Sequence, residues 1–163
     1  MMGSYAIDNS IYPIVKFIDN DNIACFGNKD IRMYTMKEKP DEKSVIDLES
    51  REMQGVFYNS SCVGYIALSD QNNKTKYKMY VYDDSGKLKS EMDYADSFEK
   101  IYATENEIIV LGDMDCSIFR LNGSRKFQHS FKKNLVNVVP DSNKEEYVVI
   151  FENETQAIQL KGM

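Results

Sequence analysis

Residues 102–121 read Tyr102-Ala103-Thr104-Glu105-Asn106-Glu107-Ile108-Ile109-Val110-Leu111-Gly112-Asp113-Met114-Asp115-Cys116-Ser117-Ile118-Phe119-Arg120-Leu121. Two apolar segments of strand length flank a polar turn at Gly112–Asp115. The first, Ile108-Ile109-Val110-Leu111, is apolar at consecutive positions. A strand with one wet face alternates, whereas a continuous run means that both faces are covered. Tyr147-Val148-Val149-Ile150-Phe151 repeats the pattern. A shift of 85 residues lays Phe17–Met36 on this stretch without a gap. Ile23 then meets Ile108, Gly27 meets Gly112, Asp30 meets Asp115 and Tyr34 meets Phe119. Half of that shift is about 42 residues, the size of one four-stranded propeller blade (~40–45 residues).

The same rhythm of short apolar segment and polar turn runs along the whole chain. It predicts strands near 15–18, 23–27, 31–36 and 44–48, then 55–58, 63–69, 76–82 and 87–92. A third group follows near 99–103, 107–112, 116–121 and 126–131, and a fourth near 136–139, 146–151 and 155–160. Asp83-Asp84-Ser85-Gly86, Asn122-Gly123-Ser124 and Pro140-Asp141-Ser142-Asn143 supply turn chemistry. No long window keeps the helical spacing of apolar residues. The expected fold is therefore all-β, with about four four-stranded antiparallel blades in one propeller-like domain over 1–163. Its approximate units are 12–49, 53–94, 96–131 and 134–160. The last unit has three strands, and residues 4–7 form a candidate closing strand. Closure within one chain makes a four-bladed ring; exchange between two chains makes an eight-bladed homodimer, towards which the reading leans. The expected core includes Phe17, Ile23, Phe26, Ile66, Leu68, Ile108, Val110, Leu111, Val148, Ile150 and Phe151.

Composition narrows the function classes. The chain of 163 residues carries 26 acidic and 20 basic side chains, a net charge of −6. That field disfavours a general nucleic-acid binder. With 42% hydrophobic and 28% charged residues, the chain is an ordinary globular one. No apolar run approaches the ~18 residues of a membrane span. Met1-Met2-Gly3-Ser4 lacks the basic and apolar regions of a signal peptide, and the chain is expected to be part of something longer. Cys25, Cys62 and Cys116 fit no zinc spacing and read as small buried hydrophobes.

The search for chemistry finds little that is specific. A Ser–His–acid triad would have to use His129, the single histidine, and no Gly-x-Ser-x-Gly elbow exists. Ser117 and Ser130 fall within predicted strands. Asp113 with Asp115, and Asp19 with Asp21, could open calcium loops, which need Gly at position 6 and Glu at position 12. Those positions hold Ala24 and Asp30, or Ile118 and Ser124, so these carboxylates read as turn caps. Arg125, Lys126, Lys132 and Lys133, with Phe127 and Phe131 between them, could contact an anionic polymer. They read first as lysines guarding an outer edge strand. No phosphate loop is present. No catalytic, metal or cofactor-binding residue is assigned.

Tyr80-Val81-Tyr82-Asp83-Asp84-Ser85-Gly86-Lys87 is similar to the strand–turn–strand of β-propeller repeats of the quinoprotein or WD40-like kind. Phe119-Arg120-Leu121-Asn122-Gly123-Ser124 is its counterpart. With Val15–Ile23 and Ala157-Ile158-Gln159-Leu160-Lys161, these segments make the chain resemble the C-terminal part of a family of Firmicutes proteins with no assigned activity. Those proteins have an N-terminal membrane anchor and a propeller-like extracytoplasmic domain. The resemblance implies an extracytoplasmic location. It implies no cofactor, since the tryptophan motif and the Trp-Asp dipeptide are missing. The expected role is a non-catalytic binding or scaffolding module with a protein or cell-envelope ligand. The alternatives are a glycan-directed propeller enzyme using loop carboxylates and a structural spacer.

Overall fold

The structure is a computed structural model that describes residues 10–69, 76–143 and 145–160. The described residues form fifteen strands and no helix. The first sheet is β1 (Ile14–Phe17), β2 (Asn22–Phe26), β3 (Asp30–Thr35) and β4 (Asp41–Asp47). The second is β5 (Met53–Asn59), β6 (Cys62–Leu68), β7 (Tyr77–Asp83) and β8 (Leu88–Tyr94). The third is β9 (Lys100–Ala103), β10 (Glu107–Leu111), β11 (Asp115–Arg120) and β12 (Arg125–Ser130). The fourth is β13 (Leu135–Pro140), β14 (Glu146–Phe151) and β15 (Thr155–Gln159). Each sheet is an antiparallel meander, with every strand beside its neighbour in sequence. The expected all-β class with four blade-like sheets is what the chain adopts. The candidate closing strand at 4–7 lies outside the described residues.

Turn chemistry sets the strand ends. The Asp19 carboxylate accepts the N–H groups of Asp21 and Asn22, both at 2.8 Å. Asn59 Oδ1 does the same for Ser61 and Cys62 at 2.8 Å. Asp83 Oδ1 takes the N–H of Ser85 and of Lys87 at 3.0 Å, and Gly86 turns the chain at φ 80°. Such side-chain acceptors replace the missing ladder partner and fix where a strand stops.

The 85-residue repeat is a structural one. β2 and β3 map onto β10 and β11 end to end, and Gly27 and Gly112 each donate an N–H to the carbonyl of Asp30 or Asp115 at 2.8 Å. The last hairpin of each four-stranded sheet carries a bulge. It falls between Met33 and Tyr34, between Val81 and Tyr82, and between Ile118 and Phe119. The registers pass over one residue of the outer strand in each case: Lys43, Lys89 and Lys126. A bulge re-aims the extra side chain, and all three are lysines.

The chain divides into two compact units, 1–95 and 96–163. In the first unit, Ala24, Phe26, Ile31 and Met33 of the first sheet pack with Val63, Tyr65, Ala67 and Tyr80 of the second. Tyr65 stacks on Tyr80 with ring centroids 4.9 Å apart, and the Arg51 guanidinium lies 4.6 Å above the Tyr80 ring. Arg51 follows Glu49 and Ser50, both left-handed at φ 51° and 64°. In the second unit, Ile109, Leu111, Cys116 and Ile118 of the third sheet pack with Val138, Tyr147, Val149 and Phe151 of the fourth. The Tyr102 hydroxyl bonds the Val138 carbonyl across this seam, and Lys100 Nζ donates to Asn137 at 3.2 Å.

Six of the expected core residues are buried: Phe26, Ile66, Ile108, Val110, Leu111 and Phe151. Five differ. Phe17 is 71% exposed and Leu68 44%, while Ile23, Val148 and Ile150 are half-buried. Phe17 and Ile23 share one face of the first sheet; Val148 and Ile150 share one face of the fourth. Each of these faces is turned away from its unit's core.

Candidate functional site

The second unit carries an open cleft of about 750 Å³. It lies where the turn into β10 meets the turn between β13 and β14. Three side chains form its floor: Glu107 at the start of β10, Lys126 on β12 and Tyr147 on β14. Glu107 is 8% exposed and Tyr147 2%. Lys126 Nζ donates to Glu107 Oε1 at 2.7 Å and to the Tyr147 hydroxyl oxygen at 2.9 Å. The Tyr147 O–H faces both Glu107 oxygens, at 2.6 and 2.8 Å. The ammonium also sits 5.3 Å from the Tyr147 ring centre.

The charges close on one another. Burial and the hydrogen bond to Glu107 push the Tyr147 phenol up to about 12. Burial works against charge on Lys126, but its bonds to Glu107 and Tyr147 outweigh that and raise its affinity for the proton. The floor is thus a Lys126–Glu107 ion pair at 2.7 Å beside a protonated phenol. The rim is mostly acidic, with Glu105, Asp141, Glu145 and Glu146 against Arg120.

The residues singled out in the sequence lie elsewhere, with one exception. His129 is exposed on β12, stacked 6.0 Å from Phe127 and edge-on to Phe131 at 4.7 Å. The Asp115 carboxylate accepts the Ser130 hydroxyl, and Ser117 is buried in β11. Hydrogen bonds from Asn22 and Asp21 lower the Asp19 carboxyl, as expected of a turn cap. Among the described residues no group of three or more His, Cys, Asp or Glu is placed to hold a metal ion. Cys25, Cys62 and Cys116 are buried free thiols on three different sheets. Of the basic stretch, Arg125 is exposed and Lys133 pairs with Glu154 at 2.7 Å. Lys126 is the exception, since the bulge turns it inward to the cleft floor. Glu107, ahead of an all-apolar run, was the available signal for this site.

A family profile matches residues 1–160, and the chain belongs to that family, DUF5711, described as a family of unknown function. No curated protein matches the chain. Among solved structures, BamB from Moraxella catarrhalis is similar with TM-score 0.57 at 12% identity, over 88% of this chain and 42% of that one. PorZ from Porphyromonas gingivalis, a bacterial surface component of a type-IX secretion system, gives 0.60 at 9% identity, over 93% of this chain and 21% of that one. BBS1N in complex with ARL6DN gives 0.57 at 12% identity, over 90% and 49%. The neighbours are β-propeller proteins, and the chain has the fold of a set of propeller blades. It spans half or less of the length of these structures. No helix of the described residues is long and apolar enough to cross a membrane.

Proposed function

We propose that the chain is a non-catalytic binding module of an extracytoplasmic propeller protein held at the cell envelope, and that its acid-rimmed cleft takes a basic segment of a partner protein. The observation that carries this is the cleft floor. Lys126, Glu107 and Tyr147 satisfy one another, which leaves the net negative rim to select the ligand. A basic side chain entering beside Asp141 and Glu145 would gain charge-assisted hydrogen bonds to their exposed carboxylates. Two likenesses support the reading: BBS1N is a propeller solved with a protein partner, and PorZ is a bacterial surface component. The test is affinity capture from envelope extracts, comparing the native chain with an Asp141→Lys/Glu145→Lys variant. Loss of a specific partner on charge reversal is expected. Equal capture by both would remove the cleft from the binding site. Hydrolysis of cell-wall glycan fragments by the native chain but not by Glu107→Gln would overturn the non-catalytic reading. Protease accessibility of the parent protein in intact spheroplasts checks the location.

A further inference from the structure

The fourth sheet ends differently from the other three. Each of those closes on an outer strand that carries charge and a bulge. β4 holds Asp41, Glu42, Lys43 and Asp47, β8 holds Lys89, Glu91 and Asp93, and β12 holds Arg125 and Lys126. Charges and bulges on an edge strand discourage further pairing. The fourth sheet stops at its third strand, β15, which reads Thr155-Gln156-Ala157-Ile158-Gln159 and has no charge, no proline and no register shift. Among the described residues no strand pairs with its outer edge.

The ladder fixes which groups face outward. Phe151 donates its N–H to the Glu154 carbonyl at 2.9 Å, and Leu160 donates to that of Glu145 at 2.8 Å. Even positions of β15 therefore turn their main chain to β14, and the N–H and C=O of Thr155, Ala157 and Gln159 point away from the sheet. All three residues are exposed. The side chains show a gap as well. Ile158 and Leu160 pack against the core of this unit yet stay half-buried. Ile118, on the third strand of the third sheet and paired with Phe127 of β12, is 0% exposed. An added strand with apolar residues on that face would complete the fourth sheet as β12 completes the third.

One end of this edge is acidic. Gln159 is paired with Glu146 and Leu160 bonds Glu145, and both glutamates line the cleft with Asp141. A strand added antiparallel, which continues the meander, begins at this end. Its first residue lies two strand spacings, ~10 Å, from Glu145, a gap that a lysine and a glutamate side chain span together. A second copy fits worse, since β15 paired with itself about Ala157 brings Glu152 and Glu154 of that copy to the same acidic end.

We propose that an extended segment of a partner protein adds antiparallel to β15 as the fourth strand of this sheet. Its alternate apolar side chains lie beside Ile158 and Leu160, and a basic residue at its start meets Glu145 and Asp141. The basic start rests on the proposed reading of the cleft; the added strand does not.

The probe is a short fluorescent peptide of two lysines followed by alternating threonines and valines, titrated against the full chain by anisotropy. Valines on the core side lie opposite Gln156 and Ile158, so the threonine amides are the ones that meet β15. Binding should fall at least about tenfold when the threonine amides are N-methylated and persist when the valine amides are. Ala157→Pro removes an outward N–H and leaves the β14 ladder whole. It should weaken binding by the same factor with strand circular dichroism unchanged. Asp141→Lys/Glu145→Lys should weaken the lysine-headed peptide about tenfold and favour one headed by glutamates. Equal binding of the two methylated peptides, or equal binding by a folded Ala157→Pro, overturns the added strand and leaves the cleft reading standing. Loss on Ala157→Pro with no response to rim charge or to the peptide's head supports the added strand and overturns the basic start, and the cleft reading with it. No binding by the native chain at about 1 mM overturns the proposal. Binding that appears only after residues 1–9 are removed overturns it in favour of the chain's own segment, and self-association that Ala157→Pro abolishes overturns it in favour of a second copy. If Ala157→Pro loses its strand signal, the two methylated peptides decide with the native chain alone.

Discussion

Lys43 and Lys126 are the extra residues of the same β-bulge, one in each unit. Lys43 reaches the surface, where its Nζ lies 2.9 Å from Asp84 and both side chains are wet, 33% and 58% exposed. Lys126 reaches inward to Glu107, and that pair is only 14% and 11% exposed. One backbone device thus delivers a surface ion pair in one unit and the floor of a cleft in the other. What differs is the acceptor: position 107 is Glu, and its counterpart 85 residues earlier is Asn22.

The two bulge lysines should respond differently to removal. Lys43→Met should change stability by no more than about 0.5 kcal/mol, as for exposed pairs generally. Lys126→Met leaves the Glu107 carboxylate buried without its cation and should cost about 3 kcal/mol. Tyr147→Phe, which removes the hydroxyl's bond to Glu107 and the one it accepts from Lys126, should fall between them at about 2 kcal/mol. Urea unfolding of the three variants checks the order. Equal effects of Lys43→Met and Lys126→Met would refute the assignment of Lys126 to a buried floor.

The strands and their grouping were legible because their signals are local. Asp83, Asn122 and Asn59 cap turns by bonds to residues two to four positions on, and apolar runs such as Ile108–Leu111 need no knowledge of partners. Exposure was not legible at Phe17 or Val148. An apolar run states that both faces suit burial, and whether a neighbour covers each is a property of assembly. Lys126 was misread for a different reason. Strict alternation along β12 would place it among the edge lysines, and the bulge at Ile118/Phe119 breaks that alternation. A one-residue slip in pairing leaves no mark in hydropathy, so the cleft stayed hidden while its strands were plain.

Gly64 should tolerate no side chain. A Cβ there would sit 2.3 Å from the Phe57 ring and 2.6 Å from the Tyr80 carbonyl oxygen. The ring could rotate, but the carbonyl belongs to the paired strand β7 and cannot withdraw without breaking the ladder. Gly64→Ala should therefore cost about 3 kcal/mol, at the upper end of overpacking effects. A melting temperature within two or so degrees of the parent would mean that the β6–β7 pairing is looser than described.

Alkaline pH should weaken the fold. Burial pushes Cys62 from an ordinary 9.0 up to about 11 and Cys116 up to about 12, and Tyr147 rises from 10.0 to about 12. Each is an acid held protonated by the fold. Between about pH 9 and 12 the folded chain therefore binds more protons than the unfolded one, and stability falls as pH rises. Below about pH 9 these groups contribute their full share and no slope. The urea midpoint should be flat from about pH 7 to 8.5 and drop by about pH 10.5. Thiol labelling at about pH 8 should be absent until the chain unfolds. A midpoint independent of pH up to 10.5 or so would show that these groups are accessible to water.

Val110 offers the sharpest test of the core. It is 0% exposed in the middle of β10, paired with Ile101 on one side and Ser117 on the other. Val110→Ala removes buried carbon and leaves a small void, which should cost about 2 kcal/mol and preserve the fold. Val110→Asp introduces a carboxylate with no cation among its paired neighbours, where desolvation is not compensated. Its cost should exceed about 4 kcal/mol, a large part of the stability of a domain this size. The expected outcome is loss of the cooperative transition, or aggregation, for Asp alone. The Ala variant guards against a trivial reading: if Ala and Asp were equally damaging, the effect would lie in volume and not in charge. If Asp melted close to the parent, β10 would have to lie at the surface, against its register with two flanking strands.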